Sequence, residues 1–166
     1  SYFLRDNGLR VNHVGDNYKE FNEFVKENIT QGNPLFGTTD YDAYADATEL
    51  VDYYQRLDTD YPGSYFILNT RDKNRWINSR LRHGPDYCSF LNMYYGLNRT
   101  KEEWIEAWLR EWDEHHKEVQ EYFANSPESL LIYNIEEDPV DKVVLFLKNS
   151  YKLNPDHWRH IGAGPK

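Results

Sequence analysis

Hydrophobic and polar positions along the chain follow two different periods, and each change of period marks an element. Apolar side chains recur at helical spacing over residues 18–29 and again over residues 47–57, which predicts two amphipathic helices. Residues 65–68 and 130–133 are short, continuous apolar runs that follow turn residues. Runs of this length predict buried strands of a parallel sheet. The pattern therefore alternates between helices and strands.

Helix caps and turn residues predict the remaining elements. These are a helix stopped by Gly8, a strand over residues 9–13, a short strand leading to Asp46, a helix over residues 69–83, a long helix capped by Thr100 and Glu103, and a helix opened by Pro139. Strands that alternate with helices indicate an α/β fold, with a mainly parallel sheet flanked by helices on both faces. At this length and without internal repeats, we expect residues 1–166 to form a single domain.

Composition and charge exclude several classes of function. Apolar residues make up 39% of the chain and aromatic residues 16%, which is too hydrophobic for a disordered protein. The net charge of −9 argues against a surface built for nucleic acid or for a membrane, so we expect neither as a partner. The single cysteine, Cys88, excludes an intramolecular disulfide framework and fits a cytoplasmic protein. An anionic ligand therefore needs a local cluster of basic residues.

Such a cluster follows the predicted strand at residues 65–68. Five of the 19 basic residues lie between positions 71 and 82. Arg71 comes directly after the strand, where ligands of parallel sheets bind, and its guanidinium can hold a phosphate with two hydrogen bonds. Ser79 can add a hydroxyl from the helix that follows. A solvated basic helix face, paired with the acidic excess of the chain, is the alternative interpretation.

The same segment resembles a known family. Residues 61–72 read YPGSYFILNTRD and residues 75–79 read RWINS. They are similar to the 3′-phosphate-binding segment of sulfotransferases that use 3′-phosphoadenosine 5′-phosphosulfate (PAPS), especially the bacterial-type branch. Residues 115–123 and 130–134 add weaker matches. The resemblance implies a P-loop nucleotide-binding fold and sulfuryl transfer from PAPS to a hydroxyl or amine of a small-molecule or carbohydrate acceptor, without a metal. Arg71 and Ser79 would bind the 3′-phosphate.

One expected motif of this family is not found. Sulfotransferases hold the 5′-phosphosulfate with a loop of the type Lys-x-Gly-Thr-Thr between the first strand and the first helix. Gly37-Thr38-Thr39 lacks the preceding lysine and follows Asn33-Pro34, where the family has a buried strand. We therefore expect the first strand and the phosphate loop to precede Ser1, and residues 1–166 alone to be inactive.

The resemblance also implies a catalytic base for the acceptor. Asp46, after the short strand, falls where the family places this base, although aspartate at that point is also a common helix cap. His13, at the end of an earlier predicted strand, is the second candidate, and Glu20 and Glu23 are further ones. His115 and His116 are adjacent on a helix and point about 100° apart, so they do not form a metal-binding pair.

Two other functions compete with the sulfotransferase. A small-molecule P-loop kinase would need magnesium ligands and a Gly-x-x-x-x-Gly-Lys-Ser/Thr loop, and the 166 residues contain no such loop. A non-catalytic nucleotide-binding module would keep the fold without the chemistry. The sequence upstream of Ser1 would distinguish the three.

Overall fold

The computed structural model describes residues 2–14, 18–38, 40–84 and 86–159, apart from the side chains of Tyr18, Thr48 and Glu49. Their helices and strands, in chain order, are α1 Tyr2–Asp6, β1 Val11–His13, α2 Tyr18–Gln31, β2 Ala43–Ala45, a 3₁₀ helix Thr48–Tyr53 that continues into α3 Tyr54–Asp60, β3 Phe66–Thr70, α4 Lys73–Leu81, α5 Tyr87–Tyr95, α6 Lys101–Tyr122, β4 Leu130–Asn134 and α7 Asp141–Leu147. Single 3₁₀ turns follow α6, precede β4 and follow α7.

The chain divides into two compact units. Unit 1 contains the residues up to Tyr65 together with those from Pro139 onward, and unit 2 contains residues 66–138. The single domain expected for residues 1–166 stays a prediction.

Unit 1 is built around the short parallel pair of β1 and β2. Val11 is in register with Ala43, and His13 with Ala45. The α2 helix contributes Phe21 and Val25, which lie one turn apart and therefore share the buried face of the helix. They pack with Val14, Leu35, Phe36 and Leu50 in one apolar cluster. This core holds the ends of both strands at a defined place.

Unit 2 is built around the longer parallel pair of β3 and β4. Phe66 is in register with Leu130, and Thr70 with Asn134, so both strands end at the same edge. The core of its helices consists of Ile77 on α4, Leu91 on α5 and Trp104 and Trp108 on α6. The four-residue spacing of the two tryptophans places both on one buried face of α6.

Caps determine where two of these helices begin. The Oγ1 of Thr100 accepts a hydrogen bond from the Glu103 N–H, and the Glu103 carboxylate accepts one from the Thr100 N–H. This is the capping box that the sequence predicts for α6. The carboxylate of Asp72 accepts a hydrogen bond from the Arg75 N–H at 2.8 Å and caps α4.

Two predicted helix starts are wrong. Asn69 and Thr70 do not begin a helix, because they extend β3 in register with Tyr133 and Asn134. The helix expected over residues 69–83 therefore begins at Lys73. The helix expected over residues 47–57 starts as a 3₁₀ helix and becomes α-helical only at Tyr54.

The α/β expectation is confirmed in its coarser form. The described residues combine helices with two small sheets, each of two parallel strands. Across the described ranges, every helix is too short or too polar to cross a membrane.

Candidate functional site

The two predicted catalytic residues of unit 1 lie next to each other. His13 is the last residue of β1, and Asp46 directly follows β2, so parallel pairing brings them to the same edge. The Nδ1 of His13 lies 3.7 Å from the Oδ2 of Asp46. The histidine side chain is 25% exposed and the carboxylate 58% exposed. A substrate can therefore approach the carboxylate while the imidazole stays partly shielded.

Asp46 has an unusual backbone conformation. Its φ angle is +60°, in the left-handed region that residues other than glycine rarely adopt. Aspartate tolerates this region better than most residues, and such conformations concentrate at functional sites. The N-cap of the following 3₁₀ helix is Ala47, one residue later than the capping interpretation of Asp46 requires. The turn at Asp46 sets the position of its carboxylate at the strand edge.

The pair has the chemistry of a proton acceptor. The distance of 3.7 Å is longer than a hydrogen bond, and among the described residues the buried Nδ1 of His13 has no hydrogen-bond partner. Carboxylates and imidazoles both act as general bases, and catalytic hydrogen bonds often shorten only when substrate is bound. Glu20 and Glu23, the further candidates, lie exposed on α2.

In unit 2, Arg71 lies where the sequence predicts it, immediately after β3. Its Nη2 donates to the Oε1 of Glu136 at 2.5 Å. The other carboxylate oxygen of Glu136 accepts the Asp72 N–H at 3.3 Å and lies 3.6 Å from the Nη1 of Arg75. We call Arg71, Asp72, Arg75 and Glu136 the Arg71 cluster. It combines two guanidinium groups with a backbone N–H just before α4, which is a suitable set of donors for an anion.

A short turn after β4 presents Glu136 to these donors. The Oδ1 of Asn134 accepts the Glu136 N–H at 3.0 Å, which is the turn that asparagine side chains stabilise. The Ile135 N–H donates to the Thr70 carbonyl, and the Asn134 N–H donates to the Asp138 carboxylate. The backbone around Glu136 is thus fixed at the end of the sheet.

The electrostatics of the cluster keep Glu136 ionised. Burial alone would raise the pKa of this carboxyl, but the hydrogen bonds from Arg71 and from the Asp72 N–H, with the charge of Arg75, lower it below its usual value. The side chain of Arg71 is 27% exposed, and its buried Nε has no hydrogen-bond partner among the described residues.

Ser79 lies in the second turn of α4. It is exposed on α4, four residues after Arg75 and on the side of the helix opposite the buried Ile77. No hydrogen bond joins Ser79 to Arg71 in the described part of the chain. The structure places Ser79 in a stripe with Arg75, so a ligand that contacts both Arg71 and Ser79 has to span the first turns of α4.

The backbone N–H groups of residues 35–37, which lead into Gly37-Thr38-Thr39, all have partners within unit 1. The Leu35 N–H donates to the Asp60 carboxylate, the Phe36 N–H to the Tyr61 hydroxyl and the Gly37 N–H to the Pro34 carbonyl. Burial raises the pKa of Tyr61, although the Phe36 N–H has the opposite effect. These N–H groups serve the fold of unit 1. Thr39 lies outside the described residues.

Glu136 is the member of the Arg71 cluster that the sequence did not identify as a candidate. The available signal was Asn134 at the end of a strand with a glutamate two residues later, a spacing typical of an asparagine-stabilised turn. The partner of Arg71 could not be inferred from that spacing, because the two residues are 65 positions apart.

The remaining candidates do not add a site. His115 and His116 have rings at 88° to each other, and His116 stacks on Trp112 at 4.2 Å. In the described ranges, no group of three histidine, cysteine, aspartate or glutamate side chains has an arrangement that could hold a metal ion. Compared with known proteins, the chain matches no family model, no curated protein and no solved structure.

Proposed function

We propose that the protein is a PAPS-dependent sulfotransferase that transfers a sulfuryl group to a hydroxyl or amine of a small-molecule or carbohydrate acceptor. The observation that carries the proposal is the order β3, Arg71, capping Asp72 and α4 with Ser79 on its exposed face. This is the order of the 3′-phosphate-binding segment that residues 61–79 resemble. The proposal includes the finer fold statement, a P-loop type of sheet flanked by helices on both faces.

The Arg71 cluster is the proposed anion-binding part of this function. Arg71 and Arg75 supply guanidinium donors, and the Asp72 N–H supplies a backbone donor that lies at the positive end of α4. The unused Nε of Arg71 supports the assignment, because a phosphate has enough oxygens to accept from it as well. Ser79 contacts the same ligand from the helix face.

Asp46 is the proposed proton acceptor. Asp46 takes the proton of the acceptor hydroxyl while the acceptor oxygen bonds to sulfur and the bond between sulfur and the bridging phosphate oxygen breaks. The products are the sulfated acceptor, adenosine 3′,5′-bisphosphate and a proton on Asp46. His13 lies beside the carboxylate and stabilises its position, or takes the proton in its place.

A non-catalytic nucleotide-binding module is the second candidate. It is favoured by the ion pair of Arg71 with Glu136, because an arginine with a partner inside the fold keeps a structural use after the chemistry has been lost. In that case Arg71 links the turn after β4 to the start of α4.

Calorimetry with two nucleotides tests the proposal. If Arg71 holds a 3′-phosphate, adenosine 3′,5′-bisphosphate binds more tightly than AMP, and Arg71→Ala weakens the bisphosphate by about tenfold or more while AMP hardly changes. Arg82→Ala is the matched control, since it removes an exposed guanidinium just beyond α4 that, among the described residues, donates to the Asn78 carbonyl. Equal affinity of the unmutated protein for both nucleotides would refute the sulfotransferase.

A further inference from the structure

Glu136 occupies the position of an anion in the Arg71 cluster. Each of its carboxylate oxygens receives a donor, Oε1 from the Nη2 of Arg71 and Oε2 from the Asp72 N–H, with the Nη1 of Arg75 at 3.6 Å. We propose that Glu136 is an internal competitor at this cluster, and that its carboxylate has to leave before a phosphate or sulfate group of a ligand can bind there. The inference rests on the proposed function only for the identity of the nucleotide.

One donor of the Arg71 cluster is not used by Glu136. The two oxygens of Glu136 accept from other donors, and among the described residues the buried Nε of Arg71 has no hydrogen-bond partner. A tetrahedral phosphate or sulfate presents three or four oxygens and can accept from Nε, from Nη2 and from the Asp72 N–H together. The unsatisfied donor therefore favours exchange of the carboxylate for a larger anion, because a buried N–H without a partner is costly.

The local charge leads to the same conclusion. With Glu136 in place, the two arginines are balanced by the carboxylates of Glu136 and Asp72. Once Glu136 has moved away, the cluster has a net charge of +1 and attracts an anion more strongly. The carboxylate of Glu136 thus weakens the attraction of the site for phosphate.

The exposure of the residues permits this exchange. The side chain of Glu136 is 18% exposed, that of Arg71 27% and that of Arg75 69%, so a ligand in solution can reach the donors. The backbone of Glu136 is held by Asn134, but its side chain has rotatable bonds through which the carboxylate can turn to water. The exchange needs no change in the strands.

Binding of inorganic phosphate, measured by calorimetry, tests the inference without any nucleotide. Glu136→Gln keeps the shape of the side chain and removes its charge, so the dissociation constant for phosphate should fall about tenfold. Glu137→Gln is the matched control, because among the described residues the Glu137 carboxylate accepts from the side chain of Asn134 and not from the arginines of the cluster. Adding Arg71→Ala to Glu136→Gln should abolish the gain. Phosphate binding that is unchanged or weaker in Glu136→Gln would overturn the proposal.

A second measurement uses the unmutated protein and does not depend on the stability of a variant. In a phosphate titration followed by NMR, the Nε–H of Arg71 and the amide of Asp72 should both shift, because phosphate replaces Glu136 at these donors. Neither resonance shifting at saturating phosphate would also overturn the proposal.

The outcomes separate this inference from the proposed function. A gain in phosphate affinity in Glu136→Gln, together with equal affinity for AMP and adenosine 3′,5′-bisphosphate, supports the competitor and refutes the sulfotransferase. Discrimination between the two nucleotides without any effect of Glu136→Gln refutes the competitor alone.

Discussion

At the scale of single residues, the backbone conformation of Asp46 is the observation that favours a functional role for this residue over a role in packing. A left-handed residue other than glycine costs free energy, and the fold maintains it only where the surrounding structure is well determined. Here the core of unit 1 and the pairing of β1 with β2 provide that support. The result is an exposed carboxylate beside a shielded imidazole.

Asp46→Asn tests whether this carboxylate takes a proton. Asparagine tolerates the left-handed conformation and keeps the size of the side chain, so the melting temperature should change little. Because an amide cannot act as a base, the turnover should fall by about a hundredfold or more. The measurement, made on the full-length protein, is the release of adenosine 3′,5′-bisphosphate from PAPS with a panel of hydroxyl and amine acceptors.

The control for this variant is Asp52→Asn, which changes an exposed aspartate of the following 3₁₀ helix and should leave turnover unaltered. Normal turnover in Asp46→Asn would mean that His13, Glu20 or Glu23 is the catalytic base instead. A parallel loss of stability and activity would instead show that Asp46 is structural.

At the scale of elements, the junction of β3 and α4 determines the Arg71 cluster. The strand continues to Thr70, Arg71 leaves the sheet, and the cap at Asp72 begins the helix. Because the cap has a fixed geometry, it also fixes the direction of the Asp72 N–H, which points to Glu136. The candidate anion site therefore forms at the boundary between β3 and α4.

Asp72→Ala should lower the free energy of unfolding by about 1 kcal/mol, since it removes the acceptor for the Arg75 N–H at the start of α4. Asp72→Asn keeps an oxygen acceptor and should retain most of this stability. Urea denaturation of the three proteins provides the comparison. An alanine variant as stable as the unmutated protein would mean that this cap contributes nothing to α4.

At the scale of the whole molecule, the acidic net charge of −9 is combined with carboxyls whose pKa values the fold lowers. The N–H and guanidinium of Arg10 lower the pKa of Asp42, and the N–H of Thr100 lowers that of Glu103. For Glu136, the bonds from the Arg71 cluster outweigh the opposite effect of burial. At acidic pH the unfolded chain therefore binds more protons than the folded chain at these groups.

The sign of the pH dependence follows from these shifts. Stability from a carboxyl with a lowered pKa is fully present above the unfolded value of about 4 and is lost as the pH falls through the folded value. The melting temperature should therefore decrease as the pH is lowered from about 5 to about 3. Glu103→Gln removes one of the titrating groups and should make this decrease shallower. Calorimetric scans that give the same slope for both proteins would contradict the role of Glu103.

Sequence patterns alone determined most of the elements and part of the candidate site. Helix spacing, the Thr100 capping box and the short apolar runs predicted helices and strands that the structure confirms. These predictions are correct because helix caps and hydrophobic periodicity depend on residues that are close together in the chain. The location of Arg71 directly after a strand was predictable for the same reason. The start of α4 was not, because pairing with β4 keeps Asn69 and Thr70 in the strand.

Tertiary structure alone decided which of these residues meet. The register of β1 with β2 places His13 beside Asp46, and the register of β3 with β4 brings the turn after Asn134 to Arg71. Contacts of this kind join residues that are distant in sequence, such as Arg71 and Glu136 at a separation of 65 positions. Register depends on the packing of whole strands against their cores, which no local pattern contains. Strand pairing therefore decides the positions of both the candidate base, Asp46, and the proposed competitor at the anion site, Glu136.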